Sequence, residues 1–310
     1  MNMRLMLIAS ALFCLATPGH AADGDYQAVG DKKEITLDPA QSYLIVQTSS
    51  ASSMFSFPIT FVRRPEKEDI DDYVRRRGEA LEKVHEKWQR KHATWQKDME
   101  RWDGMSPSTR AREKKPIEPE EPTDQNLAFP SLDQEGMVQI GPFDRFSKKD
   151  GRSTFLHRVK PGRYAFYGPV VFANAVGGSC MCMGSIEFDI APGKIVNGGM
   201  MKLNWMEERQ KAKDEGRPLP KTEFDIPEHL TSISWEVPVD GAAIDPRLSE
   251  YTILAADLHA TSGFPNYFGL VIDRVTAIPG ILEYDRDRVI DVKSATATSP
   301  PAAPKASTVE

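Results

Sequence analysis

Ser153-Thr154-Phe155-Leu156-His157-Arg158-Val159, then Lys160-Pro161-Gly162, then Arg163-Tyr164-Ala165-Phe166-Tyr167 is the stretch that decides the fold. Two short runs rich in β-branched and aromatic residues stand on either side of a Pro-Gly turn, which is a strand-turn-strand pattern. Ala191-Pro192-Gly193 repeats the punctuation between a strand at 180–190 and another at 194–196. Working outward, 137–140, 42–48 and 54–62 read as strands on the amino-terminal side, and 232–237 and 267–275 on the carboxyl-terminal side. The polar run Ser49-Ser50-Ala51-Ser52-Ser53 supplies a hairpin loop between the first two, and Pro58 puts the second near an edge or a bulge. Residues 252–258 fit helix or strand, and 203–216 reads as a short charged helix. Strand follows strand without crossover helices, so the sequence predicts a mainly β protein, an antiparallel β-sandwich of about eight or nine strands.

Between 62 and 137 the period changes. Residues 66–102 are dense in charge and free of proline, and Val74, Leu81, Trp88, Trp95 and Trp102 recur every seven residues, a helical spacing. The partner seam is Ile70, Arg77, Val84, Lys91 and Asp98, so only one column is consistently apolar and a two-stranded coiled coil is not expected. Asp71 with Arg75, Asp72 with Arg76, Glu79 with Lys83 and Glu86 with Arg90 stand four apart with the acid first, each pair adding about 0.2–0.5 kcal/mol to a solvated helix. Residues 103–126, with Pro107, Pro116, Pro119 and Pro122, form an extended charged return. The block reads as a helical arm inserted between two strands.

The chain opens with Arg4, an apolar run from Leu5 to Ala16 and then Pro18-Gly19-His20-Ala21, the order of a cleavable signal peptide at 1–21. That run is shorter than the 18 or more apolar residues a membrane span needs. Phe13 stands before Cys14, which argues against lipid attachment there. Removing 21 residues from 310 leaves 289, enough for one large domain at 22–293. Residues 294–310, mostly Ser, Ala, Thr and Pro, are expected to be disordered. A formal charge of −6 gives no reason to seek nucleic acid, and no later segment is apolar enough to be transmembrane. The expected location is the periplasm, with secretion as the alternative.

Lys160-Pro161-Gly162-Arg163-Tyr164, the run Cys182-Met183-Gly184-Ser185-Ile186-Glu187-Phe188 and Ala191-Pro192-Gly193-Lys194-Ile195 resemble uncharacterised exported β-sandwich proteins of Gram-negative bacteria. The P-G-x-Y turn-strand is similar to carboxypeptidase-regulatory-like and prealbumin-like sandwich domains. That resemblance covers about residues 153–197; it implies a sandwich and an accessory or binding module, and supplies no active-site residues to carry over.

Two clusters carry candidate chemistry. Cys180-Met181-Cys182-Met183 sets four soft sulfur side chains together, with Met200-Met201 after the next turn, and soft ligands suit Cu(I). On an extended strand Cys180 and Cys182 share one face and Met181 and Met183 the other, which splits the set and holds the thiols apart. Free, slowly reacting thiols without stoichiometric metal are therefore expected, whereas a turn, which Gly177-Gly178 and Gly184 would permit, restores both metal and disulfide readings. The second cluster is Trp88, Trp95 and Trp102 with Tyr73, expected to be covered either by the protein's own chain or by a partner. The histidines show no metal-ligand spacing, and neither a Gly-x-Ser-x-Gly elbow nor a phosphate-binding glycine loop is present. These readings lead to a non-catalytic exported envelope protein with no cofactor, acting as a binding module through its arm on an envelope protein or on a second copy. The alternatives are a copper-binding or thiol-redox protein using Cys180 and Cys182, and an enzyme whose site is not visible in the sequence.

Overall fold

The computed structural model describes residues 26–49, 58–149, 151–172, 176–218, 233–241 and 244–298. The signal peptide, the expected loop 50–53 with the start of the strand beyond it, and residues 299–310 lie outside the described residues. In chain order come β1 (Tyr26–Ala28), β2 (Ser42–Ser49), β3 (Ile59–Arg63), the long helix α1 (Lys67–Asp103), α2 (Pro107–Arg110) and α3 (Leu132–Glu135). There follow β4 (Met137–Ile140), β5 (Ser147–Lys149), β6 (Arg152–Val159), β7 (Gly162–Gly168), β8 (Val170–Phe172), β9 (Val176–Cys180), β10 (Ser185–Ile190) and β11 (Ile195–Leu203). The chain continues through α4 (Asn204–Asp214), β12 (Ile233–Glu236), β13 (Ile253–Ala255), β14 (His259–Thr261), β15 (Val271–Ile272), β16 (Leu282–Asp285), β17 (Arg288–Asp291) and α5 (Val292–Thr298).

The largest sheet runs β1-β6-β2-β11-β12, with β13 and β5 added off that path, and a second runs β14-β10-β7-β3-β4. β15-β9-β8 and β16-β17 make two smaller sheets. The fold is therefore strand-rich with one long helix, as the turn pattern predicted, but the pairing is not purely antiparallel: β11 runs parallel to β2 and to β13, and β15 runs parallel to β9. β2 and β3 are no hairpin either. β2 lies between β6 and β11, while β3 lies between β7 and β4 in the other sheet, with a register irregularity just after Pro58, between Thr60 and Phe61. Adjacent strands in sequence have been dealt to different sheets, which local propensity cannot show.

The continuous apolar runs have a packing cause. In the first sheet Leu44, Val46, Phe155, Val159 and Val196 face one cluster, where they meet Phe61, Tyr164, Phe166, Ile186 and Phe188 of the second sheet. The alternate residues Tyr43, Ile45, Leu156 and Ile195 face a second cluster with Leu37, Phe146 and Leu248. Behind the second sheet, Val62, Ala165 and Tyr167 bury against Phe264 and Leu270. Both faces of these strands are covered, so Leu44-Ile45-Val46 and Ala165-Phe166-Tyr167 cannot alternate with polar residues. Trp235 closes the central cluster, its indole N–H donating to the Gly198 carbonyl at 2.9 Å.

Pro65–Asp133 forms one compact unit and the strand-bearing remainder another. Within the strand-bearing unit β3 and β4 pair directly, Val62 opposite Met137, and the Arg63 N–H donates to the Gly136 carbonyl at 2.8 Å. The arm is thus an insertion into a β-hairpin. At the far end β17 runs on into the short helix α5, where the Ser294 hydroxyl donates to the Asp291 carboxylate.

Candidate functional site

α1 begins where the Asp69 carboxylate accepts the Glu66 N–H at 2.9 Å and ends at Gly104, whose N–H returns to the Glu100 carbonyl at 3.1 Å. Its 37 residues extend about 55 Å, and none is fully buried. Such a helix is held by charge pairs and by whatever lies along its apolar column. Arg76 reaches Asp72 at 2.7 Å and Arg90 reaches Glu86 at 3.9 Å, as the spacing predicts. Arg75 instead bridges Asp72 and Glu79, and Asp71 pairs with Lys67.

The aromatic column is covered by the proline-rich return of the same unit. The Trp88 indole N–H donates to the Pro119 carbonyl at 3.0 Å, and that of Trp95 to the Pro116 carbonyl at 3.4 Å. Between the indoles lie His85 and His92, giving a ladder with ring centroids 5.2 Å (His85 to Trp88), 4.8 Å (Trp88 to His92) and 5.0 Å (His92 to Trp95) apart. His92 meets Glu118 at 3.3 Å and His85 meets Glu121 at 3.6 Å. Toward the base Arg77 pairs with Asp124 at 3.0 Å, and Tyr73 donates to the Pro130 carbonyl at 2.9 Å with its ring edge-on to Phe129. At the tip Arg110 and Lys115 stand over the Trp102 ring at 5.2 and 5.7 Å.

The fit is a matter of periods. A heptad advances an α-helix by about 10.5 Å, and three residues of polyproline-type chain advance about 9.3 Å. Pro116 and Pro119, three apart, therefore meet Trp95 and Trp88, seven apart, while Glu118 and Glu121 meet His92 and His85 in the same register. The sequence signal was visible in both segments, but it becomes a match only when they are laid antiparallel.

The sulfur motif departs from the extended strand expected at 180–190. β9 stops at Cys180, 181–184 turn, and β10 starts at Ser185; the Gly184 N–H closes the turn on the Met181 carbonyl at 3.3 Å. Gly184 takes a positive φ with the Tyr284 ring so close that a Cβ would lie 2.4 Å from its hydroxyl. The turn brings the Cys180 and Cys182 α-carbons to 5.2 Å, and the two are disulfide-bonded. The expectation of two free thiols is corrected: it rested on a 6.6 Å strand spacing, about two residues of rise, that the turn removes. The four sulfur residues point into different surroundings. Cys180 is buried with Tyr167, Phe264 and Leu270, Cys182 is half-buried at the edge of that cluster, Met181 belongs to the central core, and Met183 is 41% exposed. Among the described residues no three His, Cys, Asp or Glu side chains converge on one point.

His259 and His157, which stand in separate segments without metal-ligand spacing, sit in opposite settings. His259 has Nδ1 3.0 Å from Asp291 and Nε2 3.4 Å from Asp257, and these carboxylates raise its pKa, the Asp291 hydrogen bond most. Both ring nitrogens are engaged, so the group is an ion-pair cluster joining β14 and β17. His157 is buried, stacked flat on Tyr26 at 4.9 Å, and neither nitrogen has a hydrogen-bond partner among the described residues; burial depresses its pKa to about 3. Among the described residues no helix is long and apolar enough to cross a membrane. Comparison with known proteins matched no family model, no curated protein and no solved structure.

Proposed function

We propose that this chain is an exported binding protein whose interaction element is the helical arm, and that its two larger sheets face one another as a β-sandwich. The observation that supports the binding reading is the arm itself: a compact unit of its own inserted into a β-hairpin whose two strands already pair. The sandwich reading draws on the central apolar cluster, which takes side chains from both large sheets. Trp88, Trp95, Trp102 and Tyr73 serve the arm's internal structure, because the proline-rich return, lying along the helix as a strap, occupies them. The contact surface is then the rest of the helix, where Ile70, Val74 and Val84 remain exposed among the charge pairs. The partner is a folded protein of the envelope, consistent with the signal-peptide pattern, and export to the periplasm is part of the same proposal. A binding module also agrees with the resemblance of 153–197 to accessory sandwich domains.

The test replaces residues 70–126 by a short Gly/Ser linker. The β fold is expected to survive, since the shortened connection closes a loop at little entropic cost, and cross-linking in envelope extracts should lose a partner that the parent retains. A variant that folds and keeps every interaction of the parent, its self-association by light scattering included, overturns the assignment to the arm.

A further inference from the structure

Cys180 and Cys182 close their disulfide across a single residue. Cross-links stabilise by restricting the unfolded chain, and the effect grows with the loop they close, so this one constrains little. The turn is also held without it. Met181 N–H donates to the Tyr167 carbonyl at 2.7 Å, Asp273 N–H to the Cys180 carbonyl at 2.9 Å, Met183 N–H to the Asp273 carbonyl at 3.2 Å, and Gly263 N–H to the Cys182 carbonyl at 3.3 Å. A bond that adds little as a staple, in a loop already fixed by backbone, can open and close without unfolding the protein.

Its surroundings are unequal. Cys180 is wholly buried, and Cys182 is the half-buried member, so a nucleophile from outside meets Cys182. Beside it lies β15, the edge strand of the small sheet, with Ile272 opposite Cys180. Val271 and Ile272 are 55% and 54% exposed, and Met183 adds a third exposed apolar side chain whose backbone bonds to Asp273. An open strand edge accepts an extended peptide, and apolar side chains around it favour an apolar one.

We propose that Cys180–Cys182 is a thiol-disulfide exchange site that oxidises a dithiol in an extended, apolar segment of another exported polypeptide, docked along β15 against Val271, Ile272 and Met183. The partner's thiolate attacks Cys182 Sγ; a partner–Cys182 bond forms, the Cys180–Cys182 bond breaks, and its electron pair leaves on Cys180 Sγ, which takes up the proton lost by the partner's thiol. The partner's second thiolate attacks its own sulfur in the mixed disulfide, and Cys182 departs with the second proton. The partner loses two electrons and two protons, and the pair gains both; a further disulfide, from a protein or a small molecule, must accept them before another round.

The test mixes the oxidised, signal-cleaved chain with a reduced synthetic peptide carrying two cysteines flanked by Val and Ile, with the same peptide flanked by Gly and Ser, and with reduced glutathione. One equivalent of the apolar peptide should be oxidised while the protein stays folded, faster than the polar peptide by about tenfold, since docking adds to exchange. Val271→Thr combined with Ile272→Thr should remove that preference, bringing the ratio of the two peptide rates to about one. Cys180→Ser should trap on Cys182 a one-cysteine version of the peptide, its second cysteine replaced by serine and its first activated as a mixed disulfide with glutathione, and Cys182→Ser should trap none without denaturant. A disulfide that yields to these thiols only after unfolding, or equal rates for the two peptides, overturns the proposal; the wild-type measurement decides even if a cysteine variant fails to fold.

Discussion

Replacing His157 by leucine tests whether burial alone governs the most unusual titratable group in the core. The ring is 1% exposed, lies on Tyr26, and has both nitrogens without hydrogen bonds among the described residues. Its pKa falls from 6.5 in the unfolded chain to about 3 in the folded one. Above pH 6.5 both states are neutral and the difference has no effect. Below it the unfolded chain binds a proton that the folded chain refuses, so folding weakens by about 1.4 kcal/mol per pH unit, reaching about 2 kcal/mol at pH 5 and a limit near 5 kcal/mol as pH falls through 3. Leucine has similar volume and no polar atoms, so it relieves two unsatisfied groups and should leave stability at pH 7 equal or higher. Urea unfolding of both proteins at pH 7, 6 and 5 should show a gap widening by about 2 kcal/mol in favour of His157→Leu. His157 should also give an imidazole NMR signal that does not move between pH 7 and 5. Parallel stability curves, or an imidazole that titrates near 6.5, would mean that burial does not hold His157 neutral.

His259 should act in the opposite sense. Its folded pKa is raised by Asp291 and Asp257, so its contribution is complete below pH 6.5 and disappears as pH rises through the folded value. Asp291→Asn should lower the unfolding free energy at pH 6 by no more than about 1 kcal/mol for so solvent-screened a pair, with the histidine-dependent part absent at pH 9; an equal loss at both pH values would contradict this. In the arm, Trp88→Phe with Trp95→Phe keeps the ring faces but removes the donors to Pro119 and Pro116. At about 1 kcal/mol each, their combined loss should raise amide exchange and protease cutting in residues 111–126 by up to about thirtyfold while α1 keeps its helical signal. Unchanged protection would mean that the indole hydrogen bonds do not hold the strap.

How much of this was legible before folding depends on the range over which each signal acts. The two Pro-Gly turns and the β-branched runs marked β6, β7, β10 and the start of β11 because turn chemistry and propensity act within a few residues. The same locality misled at Cys180-Met181-Cys182-Met183: a run of apolar and sulfur residues looks like continuous strand, and only contact with Tyr284 and the backbone of Tyr167 and Asp273 shows why the chain turns there. The buried state of His157 was invisible for a like reason, since its Leu-His-Arg neighbourhood says nothing of β1 laying Tyr26 across the ring.

A strand-rich chain interrupted by one long charged helix could be read from local pattern, because hydrophobic period, heptad spacing and proline placement act over a few residues. Tertiary structure alone decided that β2 and β3 part company into different sheets, that β11 pairs in parallel with β2, that the tryptophan column is covered by its own proline strap, and that Cys180 reaches Cys182. Each of these is a choice among partners distant in the chain, and it is settled by which pairing buries the most apolar surface while leaving the fewest backbone groups unsatisfied.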